Sequence, residues 1–93
     1  MYTETVLRYH VAFYLPPKTE KMVVAKVLDF PGGLSQGFDL ADARSMIRSA
    51  LEDLAQTWVE LGKPLPQPDP DASDPEADLI EVVPVSITAG VET

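Results

Sequence analysis

The amino-acid sequence predicts an α+β fold in which one long helix covers one face of one small β-sheet. Three observations lead to this prediction. Apolar residues alternate with other residues over positions 5–15, which is the period of a half-buried β-strand. Apolar residues recur at spacings of three and four over positions 40–61, which is the period of an amphipathic helix. A further apolar run at positions 79–88 predicts a last strand.

The strands are predicted to form one mixed sheet in the spatial order 3-2-1-4. Residues 5–15 form the first strand, which ends at a pair of prolines because proline cannot donate to a strand ladder. Residues 22–29 return antiparallel to it as a hairpin, and residues 34–37 form a short third strand. A right-handed crossover through the helix is expected to bring the last strand, 79–88, back parallel to the third. Pro84 interrupts this last strand and places it at an edge of the sheet.

The helix has clear start and stop signals. Asp39 is the expected N-cap, because its carboxylate can accept hydrogen bonds from the free amides of the first turn. Asp42 adds a second acid at the positive end of the helix. Gly62 suits the position just beyond the last turn, and a proline follows it closely. The helix is therefore expected to run for about 22 residues, or about 33 Å at 1.5 Å per residue.

The stretch LDFPGGLSQGFDLADA, residues 28–43, places three glycines between a strand and the helix. A phosphate-binding loop has glycines in this place, but it also needs a lysine or a hydroxyl beside them, and here carboxylates surround the loop. The structural interpretation is therefore preferred. Pro31, Gly32 and Gly33 turn the chain sharply, and Gly37 lets it enter the helix through a positive φ or through close packing.

The charge of the chain disfavours some partners and favours others. Fifteen acidic residues against seven basic ones give a formal net charge of −8, and residues 64–93 hold seven acids and no base. A field of this sign repels nucleic acid and attracts basic proteins. Residues 64–78 carry five prolines and five acids, which indicates a stiff, solvated linker. We call this segment the acidic linker.

The remaining composition predicts a single domain, residues 1–93, in the cytoplasm. The chain contains no cysteine, no N-terminal pattern of a signal peptide and no apolar run of the roughly 20 residues that a membrane helix needs. No disulfide and no membrane association are therefore expected. Because so short a chain builds only a small core, a dimer or tetramer is expected.

The sequence argues against an enzyme. Nucleases that use two metal ions need several carboxylates that converge on one site, and the first strand offers none between residues 5 and 15. His10 is the single histidine, and no pattern links it to a nucleophile, so we interpret it as a surface or interface residue. No catalytic residue, metal site or cofactor is assigned.

Residues 5–68 resemble the HicB-type antitoxin family. The matching pieces occur in the order typical of the family: Asp29-Phe30, Pro31-Gly32, Gly33, Ser35, Gln36-Gly37, an alanine-rich helix from Leu40, and Gly-x-Pro-x-Pro from Gly62 to Pro66. The resemblance implies a partial RNase H-like fold. It also implies a partner, a small basic HicA-type toxin that cleaves messenger RNA. Many members carry a C-terminal DNA-binding module, whereas this chain stops at Thr93, so a stand-alone domain without direct nucleic-acid binding is expected.

Two functional hypotheses follow from the residues and the resemblance. In the first, the chain binds and inhibits a basic toxin; in the alternative, it is an orphan structural or regulatory domain that associates with itself. Carboxylates would steer the toxin, and two apolar residues of the turn would hold it, with Phe30 exposed and Leu34 behind it. The candidate partner-binding residues are Asp29, Phe30, Leu34, Asp69, Asp71 and Asp74.

A second surface is the candidate face for self-association. Alternate residues of the first two strands point away from the predicted helix and are expected to stay open. The set mixes apolar and basic side chains, which is more typical of association than of chemistry. Its members are Val6, Arg8, His10, Tyr14, Val24 and Lys26.

Overall fold

A computed structural model describes residues 2–90 of the chain, and it describes side chains for residues 5–87. The elements follow in the predicted order β-β-β-α-β, and the third strand has the predicted bounds. They are β1 (Tyr2–Tyr14), β2 (Val23–Val27), β3 (Leu34–Gly37), α1 (Leu40–Glu60) and β4 (Leu79–Gly90).

The four strands form one sheet in the order β3-β2-β1-β4, which confirms the predicted order. All three pairings are antiparallel, so the predicted parallel direction of the last strand, and with it the mixed sheet, is wrong. The acidic linker explains the difference. The helix α1 carries the chain back along the sheet, and the linker then carries it forward again. As a result, β4 begins beside the end of β1, where Leu79 pairs with Phe13.

The prediction that Pro84 lies on an edge strand is confirmed, and the ladder shows why it is tolerated. Leu28 donates its backbone N–H to the carbonyl of His10 at 2.8 Å, so the backbone of His10 faces β2. Because the direction alternates along a strand, Tyr9 faces β4 and bonds to its partner Val83. Pro84 therefore faces the free edge of β4, where its missing N–H costs no bond within the sheet.

The core lies between α1 and one face of the sheet, which we call the inner face; the opposite one is the outer face. The predicted alternation of the first strand is confirmed, because every second residue of it enters this core. The buried sheet residues are Tyr9, Val11, Phe13, Val23, Ala25, Val27, Val83, Val85 and Ile87. The buried residues of the helix are Ala43, Ile47, Leu51 and Ala55.

The start of α1 is fixed by two aspartates and one glycine. Asp39 is the N-cap, and its carboxylate accepts from the N–H of Asp42 at 2.8 Å. The carboxylate of Asp42 accepts in turn from the N–H of Phe38 at 2.8 Å. Gly37 packs directly on this turn, since a Cβ placed there would lie 2.3 Å from the backbone nitrogen of Ala43. Close packing, and not a positive φ, is thus what this glycine provides.

Two other predicted turn glycines have positive φ. Gly32 has a φ of 86° in the turn after β2, and Gly62 has a φ of 72° just beyond the end of α1. Only glycine adopts this backbone conformation without strain. Gly32 therefore lets the chain turn after β2, and Gly62 lets it leave the end of α1.

Candidate functional site

Asp29 is the centre of a hydrogen-bond cluster at the end of β2. Its side chain is only 3% exposed. One carboxylate oxygen accepts from the backbone N–H of His10 at 2.8 Å, and the other lies 2.8 Å from the His10 Nδ1. The second oxygen also accepts from the backbone N–H of Asp69 in the acidic linker, at 3.0 Å. The carboxylate that the sequence offered to a partner is thus buried, and it ties the linker to the sheet.

The acidic linker is held to the sheet at its other end as well. The hydroxyl of Tyr14 donates to the carboxylate of Asp74. Asp78 accepts from the backbone N–H of Leu15 at 2.8 Å, and its second oxygen lies 3.3 Å from the Lys18 ammonium. That ammonium also donates to the carbonyl of Glu76 at 2.7 Å. The linker is therefore a docked element with its own contacts.

The path of the linker corrects the prediction of an open outer face. It leaves the inner side at Pro66, whose carbonyl accepts from the Tyr9 hydroxyl at 2.7 Å. It then contacts two outer-face residues, His10 through Asp29 and Tyr14 through Asp74. Ala12 lies between these two on the same face and is fully buried. The linker thus covers the outer face around Ala12, whereas Val6, Arg8 and Lys26 of the candidate set remain exposed.

The pKa values of the linker contacts follow from this docking. The hydrogen bond from Tyr14 is the main cause that lowers the pKa of Asp74 below its usual 3.8. The bond from the Leu15 backbone is the main cause that lowers the pKa of Asp78. Burial, with the bond to Asp74, raises the pKa of Tyr14 to about 12. The ionised carboxylates and the neutral phenol are therefore the forms that hold the linker in place.

Phe30 does not have the exposure that the sequence predicted. It is 1% exposed and lies edge-on to two aromatic rings, with centroids 5.1 Å from Tyr9 and 4.9 Å from Trp58. The turn after β2 folds beneath the C-terminal half of α1, so the aromatic residue of the turn points into the core. Phe30 is a core residue, and it cannot serve as a surface anchor for a partner.

The exposed aromatic residue is instead Phe38, which is 83% exposed. Leu34, a predicted candidate, is 64% exposed on the same edge of the sheet. The sequence analysis assigned no role to Phe38, although the residues at the start of the helix indicate that its side chain is exposed. An apolar residue just before an N-cap usually packs on the fourth residue of the helix. Here that residue is the small, buried Ala43, which offers Phe38 no surface to cover.

The backbone of β3 is also open at this edge. Val27 donates its N–H to the carbonyl of Gly33 at 2.8 Å, so Gly33 faces β2. By alternation, the N–H and C=O groups of Leu34 and Gln36 face away from the sheet. A mostly apolar groove of about 810 Å³ lies beside them, lined by residues 26–34 and Pro66. We call Leu34, Gln36 and Phe38 the β3 edge.

Two of the remaining candidate acids lie on the part of the linker that bonds to Asp29, which lines this groove. Asp69 and Asp71 are exposed, and the backbone N–H of Asp71 donates to the Asp69 carboxylate at 2.9 Å. Asp69 is adjacent to the buried Asp29 through the bond already described. The sequence-predicted partner residues thus separate into exposed ones (Leu34, Asp69, Asp71), half-buried ones (Asp74, and Asp29 with its side chain 3% exposed), and the buried Phe30.

The described residues combine exposed apolar side chains and an open strand edge with exposed carboxylates on the docked linker. Protein-binding surfaces use features of this kind. Within residues 2–90, no group of three side chains is placed to hold a metal ion. Within the same residues, no helix is long and apolar enough to cross a membrane.

Comparison with known proteins identifies a solved structure with a similar fold. No protein-family profile matches the chain, and no curated protein does. Among solved structures, the chain is similar to the crystal structure of the N-terminal domain of the Burkholderia pseudomallei antitoxin HicB, with a TM-score of 0.60 and 21% sequence identity. The match covers 94% of this chain and 100% of that domain. The α+β fold of this antitoxin domain, which the sequence resemblance implied, is thus confirmed for the chain.

Proposed function

We propose that this chain is an antitoxin-like protein that binds and inhibits a small basic HicA-type ribonuclease toxin. The observation that carries the proposal is the β3 edge, where Leu34 and Phe38 are exposed beside an open strand. The likeness to an antitoxin domain and the sequence resemblance support the class of partner. We assign the chain no catalytic role.

Charge supports a basic partner at this surface. An RNA-cleaving toxin needs a positive groove to hold phosphates. Asp69 and Asp71 are exposed on a proline-rich segment that is already docked, so little ordering cost arises when a partner meets them. Their carboxylates compete with phosphates for that groove and speed the encounter of the two proteins.

Apolar contacts supply most of the binding free energy of the proposed complex. Exposed charges at the rim of an interface mainly change association rates, whereas buried aromatic anchors dominate affinity. Among the large apolar side chains of the described residues, Phe38 is the most exposed, and Leu34 lies on the same edge. The outward-facing backbone groups of Leu34 and Gln36 can also pair with a strand of the partner.

The test looks beside the gene for a reading frame that encodes a small, basic, histidine-containing protein, replaces that histidine, and measures the binding kinetics of the product with this chain. Asp69→Asn with Asp71→Asn is expected to slow association several-fold at low salt and to flatten its salt dependence. Phe38→Ala is expected to speed dissociation about tenfold, because a lost anchor costs about 1.4 kcal/mol or more.

Matched controls come from exposed residues of α1 and its C-terminal end. Glu52→Gln with Asp53→Asn removes two exposed charges from α1, and Leu61→Ala truncates an exposed apolar residue at the end of the helix. Neither control is expected to change the kinetics. If the control pairs alter binding as much as the site variants do, or if the basic protein does not bind at all, the proposed function is wrong.

A further inference from the structure

We propose that the basic partner adds one of its own strands to the β3 edge, so that the sheet gains a fifth strand through main-chain hydrogen bonds. The inference rests on the proposed function and specifies how the two proteins are joined. A short extended segment of the partner pairs with β3 at Leu34 and Gln36. Because main-chain bonds fix the register of an added strand, this mode positions the whole partner on the sheet.

The backbone of β3 is paired along one side only. The backbone groups of Ser35 and Gly37 face β2, their neighbour in the sheet. The N–H and C=O groups of Leu34 and Gln36 point away from the sheet, and they have no hydrogen-bond partner among residues 5–87. These four groups repeat at the spacing of a strand ladder, so one extended segment can bond to all of them.

The open part of the edge is short and has defined ends. The N–H of Phe38 donates to the Asp42 carboxylate at 2.8 Å, so it is not available to a further strand. At the other end, the chain turns through Gly32, which has a φ of 86°. The edge therefore accommodates a segment of about the same length as β3, which has four residues. The exposed ring of Phe38 lies just beyond this segment, where it can cover the end of an added strand.

The two edges of the sheet differ in how they meet a further strand. The edge strand β4 contains Pro84, which faces the free edge and has no N–H to donate. Proline at an edge is a known barrier to pairing with another chain. The other edge strand, β3, contains neither a proline nor a charged side chain. One edge of the sheet is thus protected against pairing, whereas the other is open to it.

Charge selects a basic segment as the occupant. The chain carries a net charge of −8, so a basic partner is attracted and a second copy is repelled. Asp39 is exposed at one end of the edge, and Asp29 lines the groove at the other end and bonds to the acidic linker. Lys26 also lines the groove, but it is opposite Leu34 on β2, so the width of β3 separates it from an added strand. We therefore expect the added strand to carry basic side chains at its ends and an apolar one opposite Leu34.

The first test measures how tightly the small basic protein, with its histidine replaced, binds two variants of the whole chain. Gln36→Pro removes one outward N–H and places a ring at the edge, so it is expected to weaken binding about tenfold or more. Gln36→Ala is the matched control, because it keeps the N–H and removes only the side chain; it should change binding by no more than about twofold. Proline is tolerated on an edge strand where its nitrogen faces outward, so the fold should survive, and circular dichroism with thermal unfolding checks this.

Amide hydrogen exchange, measured by NMR on the natural sequence, gives a second test that needs no variant. The N–H groups of Leu34 and Gln36 are expected to exchange rapidly in the chain alone and at least about tenfold more slowly in the complex. The N–H of Ser35, which faces β2, is expected to be protected in both. This measurement decides the question even if Gln36→Pro does not fold.

The outcomes separate this inference from the proposed function. If the basic protein does not bind, both fail. If it binds and Phe38→Ala speeds its dissociation, but the amides of Leu34 and Gln36 stay unprotected or a folded Gln36→Pro binds as tightly as Gln36→Ala, only the added strand is refuted. Protection of the same amides in the chain alone, rising with its concentration, would show that a second copy occupies the edge, which would also overturn the inference.

Discussion

At the scale of single residues, the structure differs most from the sequence-based prediction at two phenylalanines. Phe30 was expected on the surface and is buried, whereas Phe38 was assigned no role and is exposed. Local sequence shows that Phe30 lies beside a turn, but it does not show that the turn folds under α1 onto Trp58. That contact joins residues far apart in the chain, so no spacing pattern records it. The turn glycines and the Asp39 cap were predictable because their causes lie within a few residues.

Asp29 gives the first prediction at this scale. Asp29→Asn keeps the shape of the side chain but replaces an acceptor with an amide donor, which faces the donors of His10 and Asp69. We expect the free energy of unfolding to fall by about 2 kcal/mol, because buried donors lose their charged partner. Denaturant titration measures the change. The control is Asp71→Asn at an exposed position, with an expected change within about 0.5 kcal/mol; equal effects of the two variants would contradict the role of Asp29.

Gly37 gives the second prediction. In Gly37→Ala the new methyl group would meet the backbone of Ala43 at 2.3 Å, so β3 and α1 must move apart. The expected cost is about 3 kcal/mol, at the upper end for overpacking. Gly62→Ala is the matched control, because its Cβ would meet nothing within 4 Å and only its φ of 72° is strained; it should cost about 1 kcal/mol. Thermal or denaturant unfolding that ranks Gly62→Ala as the more damaging change would refute this account.

At the scale of elements, periodicity and caps predicted most of the fold. The start of α1, the bounds of β3, the strand order and the edge position of β4 all followed from local signals. The direction of β4 did not, because it depends on the acidic linker. A segment of prolines and aspartates has no period to interpret, and its contacts reach across the chain: Asp74 bonds to Tyr14 and Asp78 to Leu15. From its composition alone the acidic linker was predicted to be solvated, whereas in the structure it is docked on the sheet.

The docked linker predicts a pH dependence with two limits. The pKa values of Asp74 and Asp78 are lowered from 3.8, so their stabilising contacts are complete above about pH 4 and are lost as acid protonates the folded form. The pKa of Tyr14 is raised from 10.0 to about 12, so the contribution of its neutral form is present below pH 10.0 and is lost between pH 10.0 and about 12. Stability should therefore be constant from mildly acidic to mildly basic pH and fall at both extremes.

Proteolysis within the linker and denaturant unfolding across pH both measure this dependence. Tyr14→Phe is the control, because it keeps the ring and removes the hydroxyl that couples the two groups. The variant is expected to be less stable at neutral pH. It should also lack the part of the stability loss at high pH that ionisation of Tyr14 causes. A variant with the same profile as the natural chain at both extremes would show that the bond between Tyr14 and Asp74 does not hold the linker.

At the scale of the whole molecule, charge divides the surface into regions with different uses. Asp69 and Asp71 are exposed on the docked linker, whereas Arg8 is exposed on β1. The sequence revealed the imbalance of charge between the two parts of the chain, but not its placement, because the path of the linker determines which face it occupies. Added salt should accordingly weaken the proposed contact with a basic toxin.

The pairing of β1 with β4 also has a consequence for the newly made chain. The first strand emerges from the ribosome early, yet its long ladder joins it to the last strand, with Tyr2 opposite Gly90. Until β4 has been synthesised, one edge of β1 has no neighbour in the sheet. The sheet can therefore close only after β4 has emerged, and pairings between such distant residues form slowly. Before that point, β1 offers an unpaired strand edge, which is a hazard for aggregation.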